Sequence, residues 1–164
     1  MAFDGPKTDA SDEESALGDL LCFSIYSAEH AFSQLYRPLL AELGLTYPQY
    51  LVLLLLWQRD GRTVGELGRA LRLQSNTLTP MLKRLESLGL IGRRRDPADE
   101  RVVRVDLTEA GRALRARSID IPECVAAATG LSADELRYAT DLVNRLRDHV
   151  TAYAVDLDRP EGSR

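Results

Sequence analysis

The chain has 164 residues, 45% of them hydrophobic and 28% charged, with a formal net charge of −4. This length and composition are those of an ordinary globular domain with its own core. They exclude a membrane-spanning protein, because the longest apolar run, residues 50–57, is much shorter than the ~18 residues that a span requires. The two cysteines do not suffice for a disulfide scaffold. Residues 1–14 are polar and acidic, which predicts a flexible tail and not a signal peptide, so we expect a cytoplasmic protein with free thiols.

Positive charge is concentrated in the middle of the chain. Residues 62–105 contain ten Lys or Arg and five Asp or Glu, a local charge of +5, whereas the rest of the chain carries −9. A basic segment between acidic ends is typical of a site for a polyanion such as nucleic acid. A solvated charged face produces the same pattern, so charge alone does not decide between them.

The first half of the chain predicts two helices. Apolar residues at spacings of three or four over residues 17–43 indicate an amphipathic helix. Pro38 predicts a kink or a break in this helix, and Gly44 is expected to end it. The second helix begins at the cap Thr46, with Pro48 in its first turn, and is apolar on nearly all sides. We therefore expect it at the centre of the core.

Two shorter helices and a hairpin follow. A capping box that starts at Thr63 begins a helix through about Arg72. The next helix covers "SNTLTPMLKRLESLG", where Pro80 leaves two alternatives open: a kink in the first turn, or a helix that is capped by Thr79. Two β-type runs, residues 91–95 and 102–107, then flank an Asp-Pro-Ala-Asp turn, so a hairpin with arginines on its arms and near its tip is predicted.

The C-terminal third returns to helical patterns. Thr108 caps a helix, and Pro122 interrupts the chain just before Cys124, which is therefore expected in a loop-like break. A second capping box at Ser132 begins the last helix, whose apolar residues recur at helical spacing. A long terminal helix with such a stripe needs a partner to cover it.

The order of these elements predicts a winged helix-turn-helix. A helix fits the major groove with its first residues at the base edges. Short polar side chains at the start of the second short helix suit bases and phosphates, and Lys83 and Arg84 would neutralise phosphates. Arg101 would enter the minor groove. A polar helix start alone is more often only a capped helix, so the prediction depends on the ordered set. The candidate DNA-binding residues are Ser75, Asn76, Thr77, Thr79, Lys83, Arg84, Arg94 and Arg101.

The stretch "LTPMLKRLESLGLIGRRRDPADERVVRVDLTEAG" resembles the winged-helix core of the MarR regulators, and the resemblance extends over about residues 17–153. It implies a mainly α fold with a small β-hairpin wing, a homodimer held by the N- and C-terminal helices, and a pseudo-palindromic double-stranded DNA operator. It also implies that Asp99 holds the wing, which adds this residue to the DNA-binding set. The expected division is residues 15–45 for dimerisation and sensing, 46–107 for DNA binding, and 108–164 for dimerisation.

Within that family, the segment from "LLCFSIY" to "LTYPQYLVLLLLW" is similar to the branch that senses organic hydroperoxides. The similarity is carried by Cys22, Tyr36, Pro38, Tyr47 and Tyr50. It implies that peroxide oxidises Cys22, and that Tyr36 and Tyr47 from the other subunit hydrogen-bond its sulfur.

The spacing of these residues is compatible with a shared site. Cys22 and Tyr36 are 14 positions apart, which is about 21 Å along one continuous helix. They cannot touch within one chain, but they can if two such helices cross antiparallel near Glu29. The apolar neighbours of Cys22 favour alkyl hydroperoxides over hydrogen peroxide. In the alternative interpretation, Cys22 is only a small core residue.

The prediction is a homodimeric repressor that loses DNA affinity when an organic hydroperoxide oxidises Cys22. Oxidised Cys22 then condenses with Cys124 of the other subunit; capping by a small thiol, or an inert Cys124, are the alternatives. No cofactor is implied, and no metal-ligand cluster is visible. Two rival functions are a MarR-type repressor released by an anionic phenolic ligand, with Cys22 a bystander, and a thiol peroxidase. The peroxidase lacks a cation near the thiol and leaves the arginine hairpin unexplained, so an enzyme is not expected.

Overall fold

The computed structural model describes Leu17 and residues 20–157; the acidic tail predicted for residues 1–14 lies outside this part of the chain. The described chain divides into two compact units, one ending at Ile119 and one beginning at Asp120. Its helices and strands are α1 (Leu21–Ala41), α2 (Tyr47–Gln58), β1 (Arg62–Thr63), α3 (Val64–Leu71), α4 (Ser75–Ser87), β2 (Ile91–Asp96), β3 (Asp99–Leu107), α5 (Glu109–Arg117), α6 (Ile121–Ala128) and α7 (Ala133–Leu157). The predicted fold class, mainly α with a small β wing, is confirmed.

Helix α1 is continuous, and the break predicted at Pro38 is absent. Pro38 lies inside the helix, although its missing N–H leaves one carbonyl of the preceding turn without a helical donor. The chain turns at Gly44, whose φ of +68° is a left-handed conformation that glycine adopts without strain. Helix α2 then begins after Thr46 as predicted, with the Thr46 N–H donating to Gln49 Oε1 at 2.9 Å.

Helix α2 lies at the centre of the first unit, as its uniformly apolar sequence predicts. It contacts α1, α3, α4, α5 and β3. Each fully buried leucine contributes about 1.5–3 kcal/mol relative to an exposed one, and this core holds many of them. Its most buried side chains are Leu40, Tyr50, Val52, Leu53, Leu56, Leu67, Leu78, Leu82, Leu85, Ile91 and Val105.

The sheet is antiparallel with the strand order β1-β3-β2. The predicted hairpin is confirmed, and both of its strands extend farther toward the turn than the sequence indicated. Ile91 pairs with Leu107 at the base, and Asp96 pairs with Asp99 beside a register irregularity. The two-residue strand β1, in which Arg62 pairs with Val105, has no counterpart among the predicted elements.

Helix α4 begins at Ser75, immediately after Gln74. The alternative in which Thr79 caps this helix is therefore wrong. Pro80 lies inside the helix, where its ring removes the hydrogen bond that the Asn76 carbonyl would otherwise accept.

The second unit contains α6 and α7. The prediction of a loop around Cys124 is wrong, because Pro122 occupies the first turn of α6, where proline is tolerated, and Cys124 lies within that helix. The capping box before α7 is confirmed by the Ser132 N–H, which donates to Glu135 Oε2 at 2.8 Å. Helix α7 has no buried residue in the single chain. None of the described helices is both long and apolar enough to cross a membrane.

Candidate DNA-binding surface and redox site

The first turn of α4 presents its polar side chains to solvent because its apolar side chains hold the opposite face in the core. Leu78, Leu82 and Leu85 are buried, whereas Ser75, Asn76 and Thr77 are exposed and Thr79 is half-buried. The free backbone N–H groups and the dipole of a helix N-terminus favour a phosphate there. The exposed face therefore combines polar side chains with a positive electrostatic end.

The predicted DNA-binding cations differ in their availability. Lys83, Arg84 and Arg101 are exposed, and their side chains form no ion pair with any residue in the described part of the chain. Arg94 instead donates from Nε to Asp106 Oδ2 at 2.8 Å. Its charge is therefore locally neutralised, so it is less available for a phosphate than the other three.

A hydrogen-bond network that the sequence analysis missed shapes the tip of the wing. Asp96 is buried and accepts hydrogen bonds from the Ala98 N–H at 2.9 Å and from Arg104 Nε at 2.6 Å. These bonds, the backbone one first, lower the pKa of Asp96. Arg104 also donates to the Gly61 carbonyl at 3.0 Å, which connects the wing to β1. The Asp96-Pro97 sequence at the predicted turn could have indicated that the Asp96 side chain accepts a hydrogen bond from the turn backbone.

Asp99 has a more local role at the same turn. Its Oδ1 accepts a hydrogen bond from the Arg101 N–H at 3.0 Å. This bond fixes the backbone from which the Arg101 side chain projects.

Cys22 is exposed on α1 in the single chain, so it is not filler in the core of its own subunit. It lies on a surface of exposed apolar side chains that includes Leu21 and Ile25. Because α1 is continuous from Leu21 to Ala41, Cys22 and Tyr36 are about 21 Å apart along its axis. They do not meet within one chain.

The structure brings Tyr36 and Tyr47 together. Their ring centroids are 4.4 Å apart, and Tyr50 packs against the same pair, with its ring 6.4 Å from that of Tyr36. Burial, together with electrostatic repulsion between ionised Tyr36 and the neighbouring phenols of Tyr47 and Tyr50 and a hydrogen bond with Tyr47, raises the pKa of Tyr36 to about 12. The Tyr36 hydroxyl therefore keeps its proton at neutral pH and remains a hydrogen-bond donor.

A cavity of about 320 Å³ opens beside the two tyrosines. It is lined by Glu29, Phe32, Ser33 and Tyr36 of α1 and by Tyr47 of α2. Glu29 is the midpoint between Cys22 and Tyr36 in sequence, and its Oε1 accepts a hydrogen bond from Ser33 Oγ at 3.0 Å. The cavity combines an apolar wall with phenol donors.

Cys124, the other predicted redox residue, is exposed on α6 in the second unit. Within the described residues, no group of His, Cys, Asp or Glu is arranged to hold a metal ion.

Residues 34–117 match the family described as transcriptional regulator SarA/Rot. The chain belongs to this family of MarR-like transcriptional regulators. It is 46% identical over 149 residues to the HTH-type transcriptional regulator TtmR of Methylorubrum extorquens, covering 91% of this chain and 76% of that protein. It is also 46% identical over 121 residues to the organic hydroperoxide resistance transcriptional regulator of Bacillus subtilis, covering 74% and 82% respectively.

Among solved structures, the chain is similar to reduced AbfR bound to DNA, with a TM-score of 0.71, 37% identity, and coverage of 86% of this chain and 99% of that one. AbfR is a Staphylococcus epidermidis protein. The resemblance to MarR regulators, and to their hydroperoxide-sensing branch, is therefore confirmed. In this SarA/Rot-family chain, α3 and α4 form the helix-turn-helix and the β2–β3 hairpin forms the wing. The thiol peroxidase alternative is not supported, because the family and these relatives are transcriptional regulators.

Proposed function

We propose that this regulator is a homodimeric repressor that binds a pseudo-palindromic double-stranded DNA operator and is released when an organic hydroperoxide oxidises Cys22. The proposal rests on the pairing of Tyr36 on α1 with Tyr47 on α2 beside a cavity. The exposed Cys22 of the same chain lies about 21 Å from Tyr36 along the continuous helix α1, out of its reach. A second copy of the chain supplies the missing contact.

Antiparallel packing of two α1 helices completes the site. If they cross near Glu29, the partner subunit's Cys22 lies opposite Tyr36, next to the cavity. The exposed apolar side chains of α1 and α7, among them Phe23, Ile25, Leu142 and Val150, become covered in such a dimer. Apolar surface of this kind is typical of an interface.

The chemistry follows from a thiolate beside phenol donors. The Cys22 thiolate attacks one peroxide oxygen, the O–O bond breaks, and the alkoxide leaves and takes up a proton as an alcohol. The sulfur loses two electrons and becomes a sulfenic acid, while the peroxide gains them. Hydroxyl donors from Tyr36 and Tyr47 stabilise the thiolate before the attack and the oxygen on sulfur after it. The apolar wall of the cavity accepts the alkyl group.

A second step locks the oxidised state. The thiol of Cys124 from the other subunit attacks the sulfenic sulfur, forms a disulfide and releases water. Both thiols are exposed in the single chain. AbfR, whose fold this chain shares, has structures described as reduced, overoxidised and disulfide-formed, which supports cysteine oxidation as the signal.

DNA binding uses the surface of α4 and the wing. Ser75, Asn76, Thr77 and Thr79 face the base edges and phosphates of the major groove. The charged contacts come from Lys83 and Arg84 on phosphates and from Arg101 in the minor groove, while Arg94 reaches the DNA only by leaving Asp106. Asp99 and Asp96 hold the wing in shape.

Release follows from the geometry of a dimer on DNA. Two reading heads must match half-sites about 34 Å apart, one helical turn of the duplex. A disulfide between subunits changes the spacing or tilt of the heads, so both no longer fit at once. Such a repressor acts in the cytoplasm, where bacterial DNA is found.

The test is a gel shift with the DNA upstream of the protein's own gene, with and without cumene hydroperoxide. Cys22→Ser is expected to bind DNA like the wild type and to remain bound when peroxide is added. Cys124→Ser serves as the comparison, because it keeps the first oxidation step and loses only the disulfide. Release of Cys22→Ser by peroxide contradicts the proposal, and its release by salicylate instead supports a ligand-responsive repressor.

A further inference from the structure

The hydroxyl of Tyr50 is an exception in an otherwise satisfied core. Tyr50 is 2% exposed, and its hydroxyl is the one buried side-chain N or O atom, within the described residues, that has no hydrogen-bond partner. A buried hydroxyl without a partner costs free energy that a phenylalanine avoids. The ring alone supplies the packing, since it lies 6.1 Å from Trp57 in an edge-to-face arrangement. The oxygen therefore needs a role other than packing.

The position of Tyr50 suggests that role. It follows Tyr47 by three residues on α2, so both side chains project from one face of that helix. The centroid of its ring also lies 6.4 Å from that of the Tyr36 ring. The three rings therefore form one cluster, in which Tyr50 is the most deeply buried.

We propose that Tyr50 is a positioning residue for the redox site, whose hydroxyl donates to the Tyr47 oxygen when Tyr47 turns its own O–H to the partner subunit's Cys22. This inference rests on the proposed function. Tyr50 is too buried to touch sulfur or peroxide itself, so it acts only through Tyr47. A phenol that accepts a hydrogen bond is a stronger donor, because linked hydrogen bonds polarise one another. The Tyr50 O–H also fixes the direction in which Tyr47 points.

A packing role and a positioning role make different predictions for Tyr50→Phe, which removes one oxygen and keeps the ring. If Tyr50 only packs, the variant reacts with peroxide as the wild type does and its Tm stays the same or rises. If Tyr50 strengthens Tyr47 as a donor, the Cys22 thiolate and its sulfenate lose stabilisation. Because cooperative strengthening is a modest fraction of a charge-assisted bond, oxidation should slow about two- to fivefold.

The experiment uses full-length protein in a Cys124→Ser background, so that Cys22 is the only thiol. The rate of thiol loss with cumene hydroperoxide and the pH profile of Cys22 alkylation by iodoacetamide are measured for Tyr50→Phe. Tyr138→Phe is the matched control, since Tyr138 is exposed on α7. We expect slower oxidation and an alkylation profile displaced to higher pH in Tyr50→Phe alone, with unchanged DNA binding of the reduced protein. Rates and profiles equal to those of the control overturn the inference.

A second measurement reads the hydrogen bond directly. In reduced, full-length protein labelled with ¹³Cζ-tyrosine, Tyr47→Phe removes the acceptor of the Tyr50 hydroxyl, so the Tyr50 resonance should shift; a resonance that stays in place contradicts the proposal. Cys22→Ser separates the two possible failures. If that variant still leaves DNA when peroxide is added, the proposed function fails. If it is insensitive to peroxide and Tyr50→Phe behaves like wild type, only the role of Tyr50 fails.

Discussion

Tyr36 illustrates how burial prepares a donor for a redox site. With a pKa raised to about 12, its hydroxyl stays protonated over the whole range in which a thiol ionises. A donor of this kind favours an ionised sulfur over a neutral one, since hydrogen bonds to charged groups are roughly twice as strong as neutral ones. In the proposed dimer, the Tyr36 phenol would therefore promote the reactive thiolate form of the partner subunit's Cys22 without carrying charge itself.

Tyr36→Phe should slow the oxidation of Cys22 by tenfold or more, because a hydrogen bond to a charged group is worth about 1.5–3 kcal/mol. The measurement is stopped-flow loss of free thiol with cumene hydroperoxide between pH 6 and pH 9. The folded-state pKa of Tyr36 is above this range, so the profile of the wild type should contain no step from the phenol. Wild-type rates in the variant would show that the tyrosine is structural only.

Tyr36 and Tyr47 were identifiable as candidate redox-site residues from the sequence, but the packing that sets their properties was not. Tyr36 and Tyr47 stood out through the resemblance to hydroperoxide sensors, and their 4.4 Å ring contact agrees with that grouping. Tyr50 belonged to the same motif, yet its orphan hydroxyl depends on how α1 packs on α2. Contacts between side chains from different elements leave no local pattern in a sequence.

At the scale of elements, the wing depends on more than its two strands. Asp96 closes the turn through Ala98 and anchors Arg104, and Arg104 continues to the carbonyl of Gly61. The hairpin is thereby fixed to the loop before β1, and Arg101 projects from a rigid tip. Rigidity before binding reduces the conformational entropy that is lost when the wing binds DNA.

Asp96→Asn should weaken operator binding several-fold while leaving its salt dependence unchanged, because no phosphate contact is removed. Lys83→Gln is the informative contrast: loss of one phosphate contact should reduce the slope of log K against log salt by about 0.9. Fluorescence anisotropy with labelled operator at several salt concentrations distinguishes the two. A changed slope in Asp96→Asn would mean that this carboxylate acts on the charge of the surface and not on the shape of the wing.

Local sequence patterns suffice to predict the helices whose first residues form their own caps. Hydrophobic period and capping boxes predicted the helices around Thr46, Thr63 and Ser132, since caps are formed by neighbours in sequence. Two residues were too few to reveal β1, which exists only through pairing with β3. Pro122 was interpreted as a break, although proline is favourable in the first turn of a helix. The loop predicted around Cys124 was wrong for that reason.

At the scale of the whole molecule, the exposed apolar side chains of α1 and α7 are what the proposed homodimer would cover. Helix α7 has 25 residues, about 37 Å in length, and none of them is buried in the single chain. Leu142, Val143, Val150 and Tyr153 are all more than 45% exposed. Their helical spacing makes them one continuous stripe, which a symmetric copy can cover.

Leu142→Glu should convert the dimer to a monomer and reduce operator affinity at least a hundredfold, because one reading head alone keeps only half of the DNA contacts. Sedimentation velocity and anisotropy give the two readouts. Thr151→Glu introduces the same residue on the opposite face of α7 and should leave both unchanged. A dimeric Leu142→Glu protein would exclude this stripe as the interface.

The placement of the single tryptophan has a practical consequence. Trp57 donates from its indole nitrogen to the Gly111 carbonyl at 2.9 Å, and its ring meets Tyr50 edge-on. The indole thus adjoins the tyrosine cluster on one side and the base of α5 on the other. Its emission, which depends on the polarity and quenching groups around it, gives the protein an intrinsic optical probe for following the tyrosines in real time without an attached dye.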